Sequence, residues 1–407
     1  MSNASLSSFQ FELKQYYIMN DPVNLTYQAG PAWALLNKET SAGGKNMPVP
    51  QIYANSNGGS KTFSNAQTNK SSVQGAQFLI SSYSKYYDVG TIDEDLISAS
   101  REDRFAWVKA MTMQIDSSLR SHGQFLAMYT YLDGSGAMAQ VSNVSSNTVT
   151  LQDPGNVNRF SVGMSVVSAS AKFSGTAPTN TQLVTAVNED AGTVTFNTLP
   201  ASTTNNWYLF RDGDYVTNGI GSLLVGLAGW LPTVAPTTGD SFFTVDRSVD
   251  VAKLSGVRLD ATGMAITDVL IKLAQKIFTN GGRPTKSFMH PVLMGLLLQD
   301  LQNKSIYTPG RDMMEGTDIS FEKISLRTSF GTVDIYSDIW MDTDKIYMLD
   351  WDKWYFANMN LATMFTSDGM ELLRTYDEDS VEYRIRTYGQ LACRGVGFNG
   401  VAYNLTA

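Results

Sequence analysis

A single cysteine, Cys393, stands in 407 residues, which excludes a disulfide framework within the chain and any zinc site built on several cysteines. Two histidines, His122 and His290, leave metal chemistry few ligands to draw on. No apolar run approaches the roughly 20 residues that span a bilayer; residues 222–231 come nearest and are interrupted by glycine. Met1-Ser2-Asn3-Ala4 lacks the basic stretch and apolar core of a signal peptide, so a soluble chain made in a cytoplasm is expected. Surplus positive charge is missing too. A formal net charge of -8 argues against a nucleic-acid binder that works through a basic groove. It does not argue against a protein that encloses DNA it barely touches.

Catalytic patterns are equally sparse. Gly395-Val396-Gly397-Phe398-Asn399-Gly400 spells a dinucleotide fingerprint, but seven residues remain after it, too few for the helix and strand that must follow. Residues 134–139 match a looser form yet follow a helical pattern instead of a strand. Gly44-Lys45 lacks the upstream glycine and the following Ser or Thr of a phosphate-binding loop, and no Gly-x-Ser-x-Gly elbow occurs. Cys393 sits among apolar neighbours and reads as inert core. His122 lies on an apolar helix face and reads as packed, and His290, before Pro291, reads as a helix cap. Asp338, Asp342, Asp344, Asp350 and Asp352 form the densest acidic cluster; without the glycine and terminal Glu of a calcium loop they read as turn residues between strands. No catalytic, cofactor-binding or metal-binding residue is assigned. Aromatic residues follow strand and helix periods and do not interleave with Lys and Arg, so no stacking platform for single-stranded nucleic acid is indicated.

What is present is 43% hydrophobic residues, ample for a large core. The longest regular pattern runs over residues 91–132. It opens on Thr91 followed by acids, a helix-start signal, and stops at Asp133-Gly134-Ser135-Gly136. Val108, Met111, Ile115, Leu119, His122, Leu126 and Tyr129 recur every three or four residues and predict one buried helix face. Such a helix would approach roughly 60 Å; a break near Ser117-Ser118 or Gly123 would divide it. Before it, extended runs flank the turn-rich stretch 55–61 and predict a long hairpin. A two-stranded hairpin is unstable alone, and nothing in the flanking sequence supplies its support; a neighbouring subunit could. After it, residues 137–211 are rich in Val, Thr, Ser and Asn. They contain a weak echo, 141–151 against 184–196, and predict a small inserted all-β module. Helices are expected over 265–279 and 291–301, then strands over 324–327, 332–336, 345–349, 354–356, 371–376 and 381–388. The fold class is α+β.

Several passages carry a resemblance. Gly226-Leu227-Ala228-Gly229-Trp230-Leu231-Pro232, the run from Ala274 to Pro284 leading into Phe288-Met289-His290-Pro291, Val333-Asp334-Ile335-Tyr336-Ser337-Asp338, and Val381 to Gly389 are similar to phage capsid sequences. With the order arm, hairpin, long helix and α+β body, the chain resembles the major capsid proteins of tailed double-stranded DNA bacteriophages, which share the HK97-like capsid fold. That resemblance implies an N-terminal arm at 1–45 and an E-loop β-hairpin at 46–90. It implies a P-domain spine helix at 91–136, an inserted all-β domain at 137–212 and P-domain strands and loops at 213–260. An A-domain at 261–375 and C-terminal strands at 376–407 returning to the P- and A-domains complete it. It implies hexamers and pentamers that close an icosahedral head shell around packaged double-stranded DNA, without enzymatic activity, cofactor or metal. Implied partners are other copies of the chain and a portal protein at one vertex, with room for separate scaffold and decoration proteins. DNA is enclosed without sequence-specific binding, and no membrane is involved. The expected location is the virion, after synthesis in the host cytoplasm. One relative crosslinks its shell through an E-loop lysine. Lys61 and Lys70 lie in the matching hairpin, but no partner Asn or assisting acid can be matched. The competing readings are an encapsulin-like compartment shell and, in a different class, an enzyme or carbohydrate-binding protein with an appended β-module.

Overall fold

The computed structural model describes residues 30–39, 44, 46–81, 83–93, 104–173, 178–200, 203–217, 219–302, 308–313, 320–328, 331–364, 373–374 and 379–406. Residues 1–29 of the expected N-terminal arm and most of the expected strand 371–376 lie outside these residues. The fold is α+β, as the sequence implies.

The described chain opens with a short helix, Pro31–Leu35, whose first residue is a proline, where a missing N–H costs nothing. β1 (Asn37–Glu39) follows. β2 (Met47–Ala54) and β3 (Gln74–Ile80) form an antiparallel hairpin with the helix Phe63–Thr68 at its far end. β4 (Ser84–Asp93) leaves the hairpin. This departs from an extended arm running on to residue 87, because Tyr86 and Ile92 are buried, and a two-stranded ribbon could not cover them.

The long helix is one unbroken element, Arg104–Tyr129, of 26 residues or about 39 Å. It does not begin at Thr91: Thr91 to Asp93 are the end of β4 and pair with residues 380–382. Local sequence resembled a helix start, and a strand far along the chain decided otherwise. His122, Leu126 and Tyr129 of the expected face are buried, but Leu119 is 36% exposed.

Six strands then close into a barrel: β5 (Ala137–Ser145), β6 (Thr148–Leu151), β7 (Ser165–Ala169), β8 (Gln182–Asn188), β9 (Thr193–Phe196) and β10 (Tyr208–Arg211), in the order β10-β5-β6-β9-β8-β7. The echoed segments are the two hairpins β5–β6 and β8–β9, and they meet through β6 and β9. Val149 faces Val194 across that pairing, and the two are fully buried; Thr148 and Thr195 face each other, with hydroxyls 3.0 Å apart.

The passage after the barrel holds the short helix Leu227–Trp230, β11 (Ser241–Phe242), β12 (Val245–Asp246) and the helix Val251–Ser255. β13 (Val257–Asp260), the helix Ile266–Thr279, β14 (Lys286–Met289) and the helix Pro291–Gln302 follow. β15 (Thr308–Met313), β16 (Ser320–Thr328), β17 (Gly331–Ser337) and β18 (Ile346–Leu349) come next, then β19 (Trp354–Met364), β20 (Leu373–Arg374), β21 (Ser380–Cys393) and β22 (Gly400–Tyr403). Seven of these form one sheet, β13-β22-β18-β14-β17-β16-β15, and the helix Ile266–Thr279 lays Val269, Leu270, Leu273 and Ile277 against its core. A second sheet, β1-β19-β21-β20 with β4 on β21, carries the long helix. Helix and sheet are joined by the His122–Thr387 hydrogen bond and by Ser118 with the Tyr383 hydroxyl, 2.7 and 2.6 Å.

Candidate assembly surfaces

The hairpin root is built from Val49, Phe78 and Ile80, all buried. Phe78 meets Trp230 edge-on at 5.4 Å and Phe242 at 6.2 Å. Support that the flanking sequence did not reveal therefore comes from this chain's own residues 230 and 242–243. Polar contacts fix the root's direction: Gln51 Nε2 donates to the Cys393 carbonyl at 2.8 Å, and Lys253 Nζ to the Tyr53 carbonyl at 2.7 Å. Beyond the root, apolar side chains stand in water. Ile52 is 69%, Phe63 83% and Val73 54% exposed. No acid occurs between Glu39 and Asp88, so Lys61 and Lys70 give the projecting part a positive charge on an acidic chain.

The barrel sits on the body through charges that sequence reading did not single out. Arg159, buried in the barrel's 3-10 turn, donates to the Met138 and Trp340 carbonyls at 2.6 and 2.7 Å and to Asp342 at 2.8 Å. Lys345 reaches the other oxygen of Asp342 at 2.5 Å. Burial alone would push the Asp342 carboxyl up; Lys345 and Arg159 outweigh it and hold the group well below the usual range. Asp153 accepts from the Thr343 N–H and hydroxyl at 2.8 and 2.7 Å, and Lys172 pairs with Asp133 at 2.9 Å. These residues line a cleft of about 360 Å³ between barrel and body. One signal was present in the sequence. Charges are scarce in residues 137–211, and Asp153, Arg159, Lys172 and Arg211 make up most of them. Isolated charges in a neutral module mark its contact side.

A third joint ties barrel, β4 and long helix together. The Arg211 guanidinium lies 4.2 Å over the Phe125 ring and donates to the Tyr86 hydroxyl, while Tyr129 donates to Asp214. His122 packs 4.8 Å from Tyr86. Burial, aided by the nearby Arg211 charge, pushes its imidazole down to about 4, so it is neutral here.

The remaining residues singled out in the sequence are scattered. Cys393 is enclosed, and burial pushes its thiol up to about 12, so it is no nucleophile at neutral pH. His290 Nδ1 accepts from Val292 N–H at 3.3 Å and caps the helix Pro291–Gln302. The acidic cluster does not act together: Asp342 is ion-paired, Asp338 is buried among hydrogen-bond donors, and Asp350 borders Trp351 and Asn399. Among the described residues no three His, Cys, Asp or Glu side chains gather to hold a metal ion. Gly395–Gly400 is a turn into β22, where a Cβ on Gly397 would meet the Lys253 backbone at 2.7 Å. Gly134 and Gly136, both at positive φ, turn the chain from helix to barrel. Lys61 and Lys70 are exposed in the hairpin. Among the described residues no helix is long and apolar enough to cross a membrane.

Residues 216–387 match the family model of the SU10 major capsid protein. Over that part the chain is similar to a major capsid protein. The capsid asymmetric unit of cyanophage A-1(L) has the same fold, with a TM-score of 0.54 at 12% identity, covering 98% of this chain and 99% of that one. The capsid chain of an empty GTA particle aligns with a TM-score of 0.50 at 7% identity, covering 97% and 96%. No curated protein matches it.

Proposed function

We propose that this chain is a major capsid protein of a tailed phage, located in the virion, that assembles as hexamers and pentamers into an icosahedral head, with no catalytic step of its own. Residues 1–45 serve as the N-arm, 46–90 as the E-loop and 91–136 as the spine region. Residues 137–212 are the inserted domain, 213–260 return to the P-domain, 261–375 form the A-domain, and 376–407 close both. The shell encloses double-stranded DNA without reading its sequence and yields one vertex to a portal protein; separate scaffold and decoration proteins join where the head requires them. Synthesis takes place in the host cytoplasm. An acidic wall repels packaged DNA, so the genome slides during filling.

The observation that carries this reading is the hairpin. Its root is fixed on its own chain, and its far half presents Phe63, Ile52 and Val73 with only positive charge. Such a lever suits docking on the acidic surface of a second copy, where a large aromatic in a pocket supplies most of the binding energy. Negative-stain electron microscopy with light scattering tests it: closed shells or rings of five and six subunits are expected. A monodisperse monomer or dimer at every protein and salt concentration, with and without the phage's other head proteins, would overturn the reading.

A further inference from the structure

Asp338 lies just past β17 at a junction of three elements and is 1% exposed. Its Oδ2 accepts from the Tyr131 hydroxyl at 2.7 Å, at the end of the long helix, and its Oδ1 from the Trp340 N–H at 3.1 Å. The Ala32 N–H, in the first turn of the helix Pro31–Leu35, donates to the same carboxyl. That helix has no capping side chain of its own, because Gly30 occupies its N-cap. A Cβ at Gly30 would collide with the Asp338 carboxyl, so the close approach requires glycine. Asp338 thus caps, from far along the chain, the helix that roots the N-terminal segment. No cation touches the carboxyl among the contacts described. The nearest is Arg159 on the barrel turn, whose guanidinium is committed to Asp342 and two carbonyls. Among the described residues, the titratable group that faces it from the turn after the long helix is the Tyr131 phenol.

We propose that the Asp338 carboxyl is a proton-operated clasp that holds residues 30–36 to the end of the long helix and to the seven-stranded sheet. Burial, opposed by the three donors, pushes this carboxyl up to about 6 from an ordinary 3.8. When the root lifts, the group reaches water and titrates in the ordinary range. The closed form therefore binds the proton more tightly than the open form. Closure is firmest in acid, and opening gains ground as pH rises between those two values. Above the upper one the effect is complete.

Hydrogen exchange on the intact chain reads the clasp through protection factors for the Trp33–Leu36 amides. In the wild type these should fall roughly tenfold between pH 5 and pH 7. In Asp338→Asn, which keeps one acceptor oxygen and the shape but cannot ionise, they should be flat. Tyr131→Phe removes one donor to the charged form and should move the wild-type midpoint to higher pH. A flat wild-type profile overturns the proposal, and so does an Asp338→Asn chain that keeps the slope. If that variant does not fold, an unmoved midpoint in Tyr131→Phe overturns it. The clasp stands apart from the shell reading: its failure would leave the hairpin's role untouched, and a chain that never assembled could still show it.

Discussion

The barrel and the hairpin are both β structure, yet they handle their edges in opposite ways. Closure of β10 onto β7 and β5 satisfies every barrel strand on both sides, and the inward Val141, Val149, Leu151, Val184, Val194 and Phe196 bury one another. The hairpin has two strands and one buried end. Pro48 and Pro50 remove two N–H groups from β2, which blunts that edge against unplanned pairing. The contrast separates a part that completes itself from a part that, on the proposed function, a neighbouring copy completes. Substitutions in the first should change stability and spare assembly; substitutions at the far end of the second should do the reverse.

The largest effect should come from Phe196→Ala inside the barrel, with a loss of about 3–5 kcal/mol in denaturant unfolding of the unassembled chain. Arg159→Met should cost about 3 kcal/mol, because it strips the buried Met138 and Trp340 carbonyls of a donor and Asp342 of one of its two cations. If that loss falls below about 0.5 kcal/mol, the polar seat does not hold the barrel. His122 gives a pH signature. Its folded pKa, about 4, lies below the ordinary 6.5, so the neutral form is favoured in the fold. The stability this contributes is complete above 6.5 and is lost as pH falls toward 4, about 3 kcal/mol in all. Unfolding titrations of His122→Gln should lack that acid slope. Smallest in the isolated chain is Phe63→Ala, expected within about 0.5 kcal/mol of wild type in unfolding. The same variant should lower the yield of closed particles by light scattering. If particles form undiminished, the far end of the hairpin is not an assembly contact.

How far the sequence disclosed this depends on how local each cause is. The barrel strands were legible because alternation of Val with Thr is a property of a few adjacent residues, and so was the hairpin, from its turn chemistry. The long helix was legible in its second half, where His122, Leu126 and Tyr129 mark a face. Its start was misplaced because Thr91 with the acids that follow mimics a helix cap, while the true partner of that stretch, Ser380 to Glu382, is remote in sequence. Exposure of Leu119 was invisible for the same reason: periodicity says which residues share a face, not how far the cover extends. Arg159 with Asp342, and Ala32 with Asp338, join residues far apart, and no local pattern announces them.

The barrel's first and last strands are direct neighbours, with Ala137 opposite Phe210. The chain therefore enters and leaves this module through one doorway. A different insert of the same doorway width could be exchanged here without shifting any register in the two large sheets. The long helix has no such freedom, because β4 and β21 read its position along its length. A chain built on this body can thus vary its insert at residue 137 while the register of both large sheets stays fixed.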